Sequence, residues 1–242
     1  EDVLRLAKER GPKTISVAAA QDKEVLIAVK EAKEMGIADA ILVGDKEKIT
    51  QIANEIGMNL DDFEVIDLKD LKEASRKAVE LVSSGKAHMV MKGLVDTSII
   101  LKAVLDEEIG LRTGKVLSHV AVFDIETYDK ILFVTDAAMN IAPNLEQKKQ
   151  IIENAVFVAH SLDIENPKVA VICAKEKVNP KMPATVDAEK LVEMNKNGEI
   201  TGCIVGGPFA LDNAISKEAA KHKGIEHPVA GDADILLMPY IE

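Results

Sequence analysis

The sequence predicts an α/β protein of two lobes, each a mostly parallel sheet flanked by helices, with a cleft between the lobes. Short runs rich in Val, Ile and Leu alternate with helical patterns along almost all of the 242 residues, and this alternation is typical of parallel βαβ units. A chain of this length forms one large or two small domains. The alternation is interrupted once, near the middle of the chain, which favours two domains.

In the first half of the chain, four predicted strands each precede a predicted helix. The predicted strands are short runs rich in apolar residues, at 14–17, 40–43, 63–66 and 88–91. The helices have apolar residues at a spacing of three or four, and they span residues 24–33, 47–56, 72–82 and 97–108. A glycine follows each helix within a few residues, as is common at helix C-termini. This order predicts a parallel sheet with helices on its faces.

The interruption lies at two strand-like runs, residues 116–123 and 130–135, which only a short polar stretch separates. Strands joined so closely pair in the antiparallel sense, because a parallel pair needs a long crossover. We therefore expect an antiparallel excursion here and place the domain boundary within it. The predicted lobes are residues 1–123 and 124–242.

The βα alternation resumes in the second half of the chain. The predicted strands are residues 169–174, 202–205 and 235–238. The predicted helices are residues 146–161, 188–195 and a segment from Pro208 to about residue 221. The last strand has the character of a buried strand, and the sequence stops soon after its carboxyl end, so we expect that a C-terminal segment is missing.

Charge and composition exclude several classes of protein. The 30 Lys and Arg residues against 41 Asp and Glu residues give a net charge of −11, so nucleic acid is not an expected partner. No apolar run reaches the roughly 18 to 20 residues that cross a bilayer, and no signal-peptide pattern is visible. Cys173 and Cys203 each lie in an apolar run without the spacing of a metal site. We therefore expect a cytoplasmic protein without membrane contact or bound metal.

The common catalytic motifs are missing from this sequence. It contains neither the glycine-rich dinucleotide fingerprint nor a P-loop, and neither H-E-x-x-H nor G-x-S-x-G. Position is a better guide, because ligands of open α/β sheets bind outside the carboxyl ends of the strands. Polar clusters that directly follow predicted strands are therefore the candidate sites.

Two clusters in the first half have the residue types of an anion site. Lys92 and Gly93 follow a strand and precede a helix start that carries hydroxyl groups, which is a competent phosphate cradle. An ordinary helix cap with a solvated lysine has the same pattern. Arg112 and Thr113 lie between two glycines, and a loop Arg can bind phosphate through two parallel hydrogen bonds.

The next clusters flank the interruption. Ser118 and His119 could donate hydrogen bonds to an anion or an acyl oxygen, but adjacent strand residues point to opposite faces, so at most one is expected to act. A structural histidine is the alternative. Asp136 and Asn140 follow a strand, where an Asp that caps a turn would look the same.

The last cluster contains Gly207 and Asp212, at a strand-to-helix turn of the second lobe. A glycine there allows close backbone approach to a ligand, and the helix dipole favours an anion. A plain turn has a similar sequence. Together the clusters suggest a site for an anionic substrate, without saying which one.

Several longer motifs resemble the phosphate butyryltransferase branch of the phosphotransacetylase family. They occur in order over essentially the whole chain, and they are MKGLV at 91–95, GLRTGK at 110–115, LSHVAVF at 117–123, NPKMPAT at 179–185, GPFALD at 207–212 and ADILLMP at 233–239. Two positions depart from the branch. Gly206 stands where Asp usually precedes Gly-Pro, and Tyr240 stands where Asp or Asn is expected.

The resemblance implies an enzyme that exchanges butanoyl-CoA and orthophosphate for butanoyl phosphate and CoA in a cleft between the lobes. It implies direct attack by the CoA thiolate with an Asp as base, with Ser and Arg groups that place the thiol and stabilise charge, and with no covalent acyl-enzyme. CoA is then a substrate, no cofactor is permanently bound, and the protein is a homodimer or a higher homo-oligomer. The alternatives are a phosphate acetyltransferase with a shorter acyl preference and a non-catalytic acyl-CoA-binding regulatory domain. The family's Ser-Arg segment, which would follow residue 242, separates these readings.

The resemblance also implies roles for residues that are present. The catalytic candidates are Ser118, His119 and Asp136. The candidates for binding phosphate or CoA are Lys92, Gly93, Arg112, Thr113, Asn140, Gly207 and Asp212, with Arg112 and Lys92 as the first anion contacts.

Overall fold

The computed structural model describes residues 2–241 and divides the chain into two compact units, Glu1–Gly114 and Lys115–Glu242. Each unit contains its own sheet, with four strands in the first and five in the second. The prediction of two mostly parallel sheets flanked by helices is confirmed. The division falls after Gly114 and not after residue 123, because the run that follows Gly114 bonds to elements of the second unit.

The first unit is a parallel sheet with strand order β3-β2-β1-β4. Its strands are β1 (Lys13–Ala18), β2 (Ala38–Gly44), β3 (Glu64–Asp67) and β4 (Met89–Lys92). Its helices are α1 (Asp2–Glu9), α2 (Lys23–Glu34), α3 (Lys46–Glu55), α4 (Leu71–Ser83) and α5 (Thr97–Val104), with a short 3-10 turn at Leu60–Asp62. The four predicted strands and the helices that follow them are confirmed, while α1 was not predicted.

Local side chains determine where these helices begin and end. Asp70 caps α4, since its carboxylate accepts hydrogen bonds from two backbone amides of the first turn. The prediction that α5 continues to residue 108 is wrong. The carboxylate of Asp106 accepts the backbone amides of Glu108 and Ile109 at 2.9 and 3.0 Å, which closes a turn and ends the helix at Val104.

The second unit has strand order β5-β6-β9-β7-β8. Its strands are β5 (Ala121–Phe123), β6 (Leu132–Thr135), β7 (Lys168–Ile172), β8 (Ile204–Phe209) and β9 (Ile235–Leu237). Its helices are α6 (Leu145–Ser161), α7 (Pro183–Lys196), α8 (Leu211–Ile215) and α9 (Lys217–His222). β5 pairs antiparallel with β6, and the other pairs are parallel. The antiparallel excursion is therefore confirmed.

The predicted strand at 116–123 is realised only over its last three residues. The amide of Val116 donates to Oε1 of Gln150 at 2.8 Å, and its carbonyl accepts from Nδ2 of Asn154 at 2.9 Å. Both side chains belong to α6, so this backbone bonds to a helix surface before it joins the sheet. The segment that connects α5 to β5 is consequently fixed against α6.

Two predicted helices of the second unit have different bounds. α7 begins at Pro183 and not at residue 188, because proline fits the first turn of a helix, where its missing N–H has no intrahelical partner. The helix predicted after Pro208 is two short helices, α8 and α9. They meet at Ser216, whose hydroxyl accepts the amide of Ala219 at 3.2 Å and starts α9.

The sheet order brings four loops to one edge of the second unit. β6, β9, β7 and β8 run parallel, so the residues that follow them all emerge at the carboxyl edge. Apolar clusters cover both faces, one including Phe133, Ile152 and Leu191 and the other including Leu132 and Ala214. This rigid, covered sheet fixes the positions of the carboxyl-edge loops.

Both glycines of β8 are closely packed. A Cβ on Gly207 would lie 3.0 Å from the Val171 carbonyl oxygen, and the φ of Gly207 is +150°. A Cβ on Gly206 would lie 2.6 Å from Nδ1 of His227 and 2.9 Å from the ring of Phe209. The His227 ring therefore occupies the space that the Asp expected at position 206 would need.

Candidate functional site

Lys92 and Gly93 form a tight loop after β4. The ammonium of Lys92 donates to the carbonyl of Gly93 at 3.4 Å and to that of Val95 at 3.0 Å, so one of its three donors remains for a ligand. A Cβ on Gly93 would lie 2.3 Å from the carbonyl oxygen of Ala19. Gly93 is therefore required for close packing of the loop against the residues that follow β1.

Arg112 and Thr113 lie on the irregular segment after α5, and both are exposed. The Arg112 guanidinium is 3.5 Å from Oε1 of Glu107, and both side chains are more than half exposed. An ion pair of this kind contributes about 0–1 kcal/mol. The guanidinium can therefore leave Glu107 for a phosphate at little cost in free energy.

Asp136 lies at the carboxyl end of β6 and is 1% exposed. Its Oδ1 accepts the backbone amides of Ala138 and Met139, each at 3.0 Å. Its Oδ2 accepts the backbone amide of Asn140 at 3.2 Å and also the side-chain amide of Asn140. The carboxylate thus organises the whole loop from 136 to 140.

These hydrogen bonds also control the protonation of Asp136. Burial alone would raise the pKa of this carboxyl group, but donation from the amides of Ala138, Met139 and His119 and from the Asn140 side chain outweighs it and lowers the pKa. The group is therefore ionised at neutral pH. Because both oxygens are occupied and the pKa is low, Asp136 is a weak proton acceptor.

Ser118 and His119 lie beside this loop. The side-chain amide of Asn140 donates to the carbonyl of Leu117 at 3.0 Å, and the hydroxyl of Thr135 donates to the carbonyl of His119 at 2.7 Å. The structure therefore brings Ser118, His119, Asp136 and Asn140 into one local cluster.

The two neighbours differ in their surroundings, although neither lies within a strand of the structure. The hydroxyl of Ser118 accepts a hydrogen bond from Nδ2 of Asn154 at 2.9 Å, which turns it towards α6. Nδ1 of His119 is buried and has no hydrogen-bond partner among residues 2–241. The Ser118 hydroxyl keeps its own O–H donor, and Nδ1 of His119 has no partner among the described residues, so both side chains retain hydrogen-bonding capacity.

Gly207 and Asp212 belong to the other end of the same edge. β8 is three strand positions from β6, which corresponds to about 14 Å at the usual spacing of strands. The Asp212 carboxylate accepts the amide of Asn213 at 2.9 Å and lies 3.8 Å from Nζ of Lys223. The structure therefore does not bring Gly207 and Asp212 to Asp136.

Between these two clusters lies a buried ion pair that the sequence analysis missed. Lys148 of α6 is 2% exposed, and its Nζ is 2.8 Å from Oδ2 of Asp187 on α7. The same Nζ lies over the Tyr240 ring, 5.3 Å from its centroid. The signal was a lysine within the apolar stripe of α6, three residues before Ile151 and four before Ile152.

A cavity of about 220 Å³ adjoins this pair at the carboxyl ends of β7 and β9. Its lining includes Cys173, Met182, Pro183, Ala184, Pro239 and Tyr240. Burial raises the pKa of the Cys173 thiol to about 11, and that of Cys203 to about 11 as well. Both thiols are therefore protonated at neutral pH and are poor nucleophiles.

Two further features of the structure bear on other classes of protein. Within residues 2–241, no group of three or more His, Cys, Asp or Glu residues is arranged to hold a metal ion. Over the same described residues, no helix combines the length and the apolar character needed to span a membrane.

Comparison with known proteins identifies the class to which this geometry belongs. The sequence model of the phosphate acetyl/butaryl transferase family matches residues 1–75 and 68–242. The phosphate butyryltransferase of Clostridium acetobutylicum is 56% identical over 241 residues, covering 100% of this chain and 80% of the relative. The phosphate acetyltransferase of Thermotoga maritima is 47% identical over 242 residues, covering 100% of this chain and 82% of the relative.

A solved structure agrees with these sequence matches. The branched-chain phosphotransacylase from Enterococcus faecalis superimposes with a TM-score of 0.81 at 35% identity, covering 95% of this chain and 80% of the other. The chain belongs to the phosphate acetyl/butaryl transferase family. The family resemblance and the expectation of an acyltransferase enzyme are thereby confirmed.

Proposed function

We propose that this protein transfers a butanoyl group between CoA and orthophosphate, converting butanoyl-CoA and phosphate to butanoyl phosphate and CoA, and the reverse. The 56% identity over the whole chain to the phosphate butyryltransferase of Clostridium acetobutylicum carries this proposal. An acetyl preference is the second candidate, which the 47% identity to a phosphate acetyltransferase favours. CoA acts as a substrate and not as a permanently bound cofactor.

The reaction we propose is a direct acyl transfer. The CoA thiolate attacks the carbonyl carbon of butanoyl phosphate, a C–S bond forms, and the C–O bond to phosphate breaks as phosphate leaves with the electron pair. The thiol proton passes to a base. The high pKa of Cys173 and Cys203 supports a mechanism without a cysteine acyl-enzyme.

In the first unit, we assign Arg112 and Lys92 to anionic groups of the substrates. Arg112 exchanges its weak surface pair with Glu107 for a phosphate, where two parallel hydrogen bonds are available. Lys92 supplies its remaining donor. Gly93 lets the backbone of this loop approach the bound anion. Thr113, which is exposed, follows Arg112 in the chain.

In the second unit, we assign different roles to the clustered candidates. His119 donates a hydrogen bond to the acyl oxygen, where negative charge develops during transfer. Asp136 is a positioning residue that fixes Asn140, and Asn140 in turn fixes the backbone beside Ser118 through the Leu117 carbonyl. Gly207 and Asp212 would contact a more distant part of a long substrate such as CoA.

Oligomeric state and location are part of the proposal. Phe157 on α6 is 74% exposed and Ile141 is 71% exposed, and burying such side chains against a second subunit would be favourable. We therefore propose a homodimer or a higher homo-oligomer. The free cysteines Cys173 and Cys203 are consistent with a reducing cytoplasm.

The test is CoA release from butanoyl-CoA, read with a thiol reagent, with and without phosphate and with acetyl-CoA in parallel. We expect phosphate-dependent release that favours butanoyl-CoA. A preference for acetyl-CoA would favour the acetyltransferase, and binding of CoA without any release would favour a regulatory domain.

A variant pair locates the anion contact. Arg112→Lys keeps the charge but loses the paired hydrogen bonds, so the KM for phosphate or CoA should rise about tenfold. The exposed Lys86 of the same unit provides a control, and Lys86→Ala should leave both KM values unchanged. Equal behaviour of the two variants would remove Arg112 from the site.

A further inference from the structure

We propose that the cavity at the carboxyl ends of β7 and β9 holds the hydrocarbon tail of the acyl substrate, and that Met182 and Ala184 set the accepted chain length. This inference rests on the proposed acyl transfer and adds to it a specificity pocket. We refer to the cavity below as the acyl pocket.

The position of the acyl pocket is that of a substrate site. Cys173 directly follows β7, and Pro239 and Tyr240 lie just beyond β9, which pairs in parallel with β7. Ligands of α/β sheets bind outside these carboxyl ends. The first turn of α7, which begins at Pro183, closes a further side of the pocket.

Two polar side chains of the lining, Thr185 and Cys173, are already hydrogen-bonded to the protein backbone. The buried hydroxyl of Thr185 donates to the carbonyl of Met182 at 2.8 Å and accepts the amide of Asn179 at 2.9 Å. The thiol of Cys173 donates to the carbonyl of Ala184 at 3.4 Å. What remains towards the cavity is largely hydrocarbon, so the pocket suits an apolar group and not a phosphate.

The volume limits the size of the occupant. Pockets that bury a drug-sized ligand have about 300–1,000 Å³, whereas this one has about 220 Å³. It is too small for a nucleotide or a whole CoA. A short acyl chain is the part of the proposed substrates that matches both its size and its apolar lining.

One wall of the pocket, the ring of Tyr240, lies against a buried ion pair. Lys148 is buried under the Tyr240 ring and is held by Asp187 at 2.8 Å. The ammonium attracts the face of the ring and keeps it in place. A ring held by this contact resists displacement, so a longer acyl chain would overlap it.

The test narrows and widens the pocket in the full-length protein. Ala184→Leu adds three carbons to the lining, and Met182→Ala removes the end of a flexible side chain. Each variant is assayed for kcat/KM with acetyl-, butanoyl- and hexanoyl-CoA at saturating phosphate. Val178→Ala serves as the control, because Val178 lies on the same loop but outside the lining.

One methylene in a hydrophobic pocket changes discrimination roughly tenfold or more. We expect Ala184→Leu to lower the butanoyl-to-acetyl ratio of kcat/KM at least about tenfold, and Met182→Ala to raise the hexanoyl-to-butanoyl ratio about tenfold. Val178→Ala should change neither ratio. Thermal unfolding establishes that each variant is folded. If Ala184→Leu does not fold, the chain-length ratio of Met182→Ala alone tests the proposal.

The possible outcomes separate the pocket from the reaction. A wild-type enzyme that transfers butanoyl groups, combined with unchanged ratios in both variants, would overturn the acyl pocket and leave the proposed function standing. An equal loss at all three chain lengths would also overturn it, since that indicates a structural role. A folded wild type without phosphate-dependent transfer at any chain length would overturn both.

Discussion

Replacing Asp136 with Asn separates a positioning role from a role as catalytic base. The substitution keeps one carbonyl oxygen, which can still accept the amides of Ala138 and Met139. The new NH₂ group then faces two donors, the backbone and side-chain amides of Asn140. The Asn140 side chain cannot turn over to compensate, because its NH₂ group also donates to the Leu117 carbonyl at 3.0 Å.

The magnitude follows from the two hydrogen bonds that are lost. Hydrogen bonds to a charged group contribute about 1.5–3 kcal/mol each, and Asp136 is 1% exposed, so water cannot replace them. We expect Asp136→Asn to lower the free energy of unfolding of the second unit by about 3 kcal/mol. Activity should fall in proportion to the disordering of the loop, and not by the 10²–10⁴-fold typical of a lost general base.

Urea unfolding, followed by circular dichroism, measures the stability, and initial rates of CoA release measure the activity. Asp124→Asn is the matched control, because Asp124 is exposed between β5 and β6 and should cost less than about 0.5 kcal/mol. A variant of wild-type stability that has lost at least a hundredfold in kcat would refute the positioning role.

The pH dependence gives a second readout of the same residue. The pKa of Asp136 is lower in the folded protein than its usual value of about 3.9. Its ionised form therefore stabilises the fold above that pH, and this contribution is lost as the pH falls through the folded value. The stability difference between wild type and Asp136→Asn should shrink below about pH 4. A difference that stays constant down to pH 2 would contradict the assignment.

Three other predictions concern the buried pair, the β4 loop and the thiol. Asp187→Ala should lower the free energy of unfolding by about 3 kcal/mol, because it leaves the buried Lys148 ammonium unpaired. Lys148→Met should lower the free energy of unfolding by at most about 1 kcal/mol, since the carboxylate of Asp187, 23% exposed, can turn to water. Urea titrations that show the same loss of stability for both variants would contradict this difference. Gly93→Ala should cost about 2 kcal/mol in the same titrations, because its Cβ would lie 2.3 Å from the Ala19 carbonyl oxygen, and wild-type stability would show that the loop can move. Burial raises the pKa of Cys173 to about 11, so alkylation at pH 8 should be slow until the protein unfolds, and rapid labelling of the folded protein would disprove its protection.

Much of the fold could be predicted because its strands are encoded locally. β2 and β7 contain uninterrupted apolar runs, at residues 40–43 and 169–172, which is the pattern of strands buried on both faces. Helix ends were harder to place. α5 stops early because of the carboxylate of Asp106, a single side chain that leaves the apolar periodicity unchanged.

The segment before β5 shows why part of the site could not be predicted. Its residues have the composition of a strand, yet Val116 bonds to Gln150 and Asn154, which lie more than thirty positions away in the chain. Such contacts leave no trace in local periodicity. The Lys148 pair is different, because the lysine interrupts the apolar stripe of α6, but its partner Asp187 lies on another helix and could not be identified from that stripe. The roles of the candidate residues at the clusters remain predictions.

The central claim is direct, CoA-dependent transfer of a butanoyl group to and from phosphate. Its most direct test incubates the full-length enzyme with butanoyl phosphate and labelled orthophosphate and follows label in the acyl phosphate. Direct transfer predicts no exchange without CoA and rapid exchange once a small amount of CoA is added, because label enters only when phosphate attacks butanoyl-CoA. Exchange in the absence of CoA would show a covalent acyl-enzyme, and no exchange under either condition would contradict the function itself.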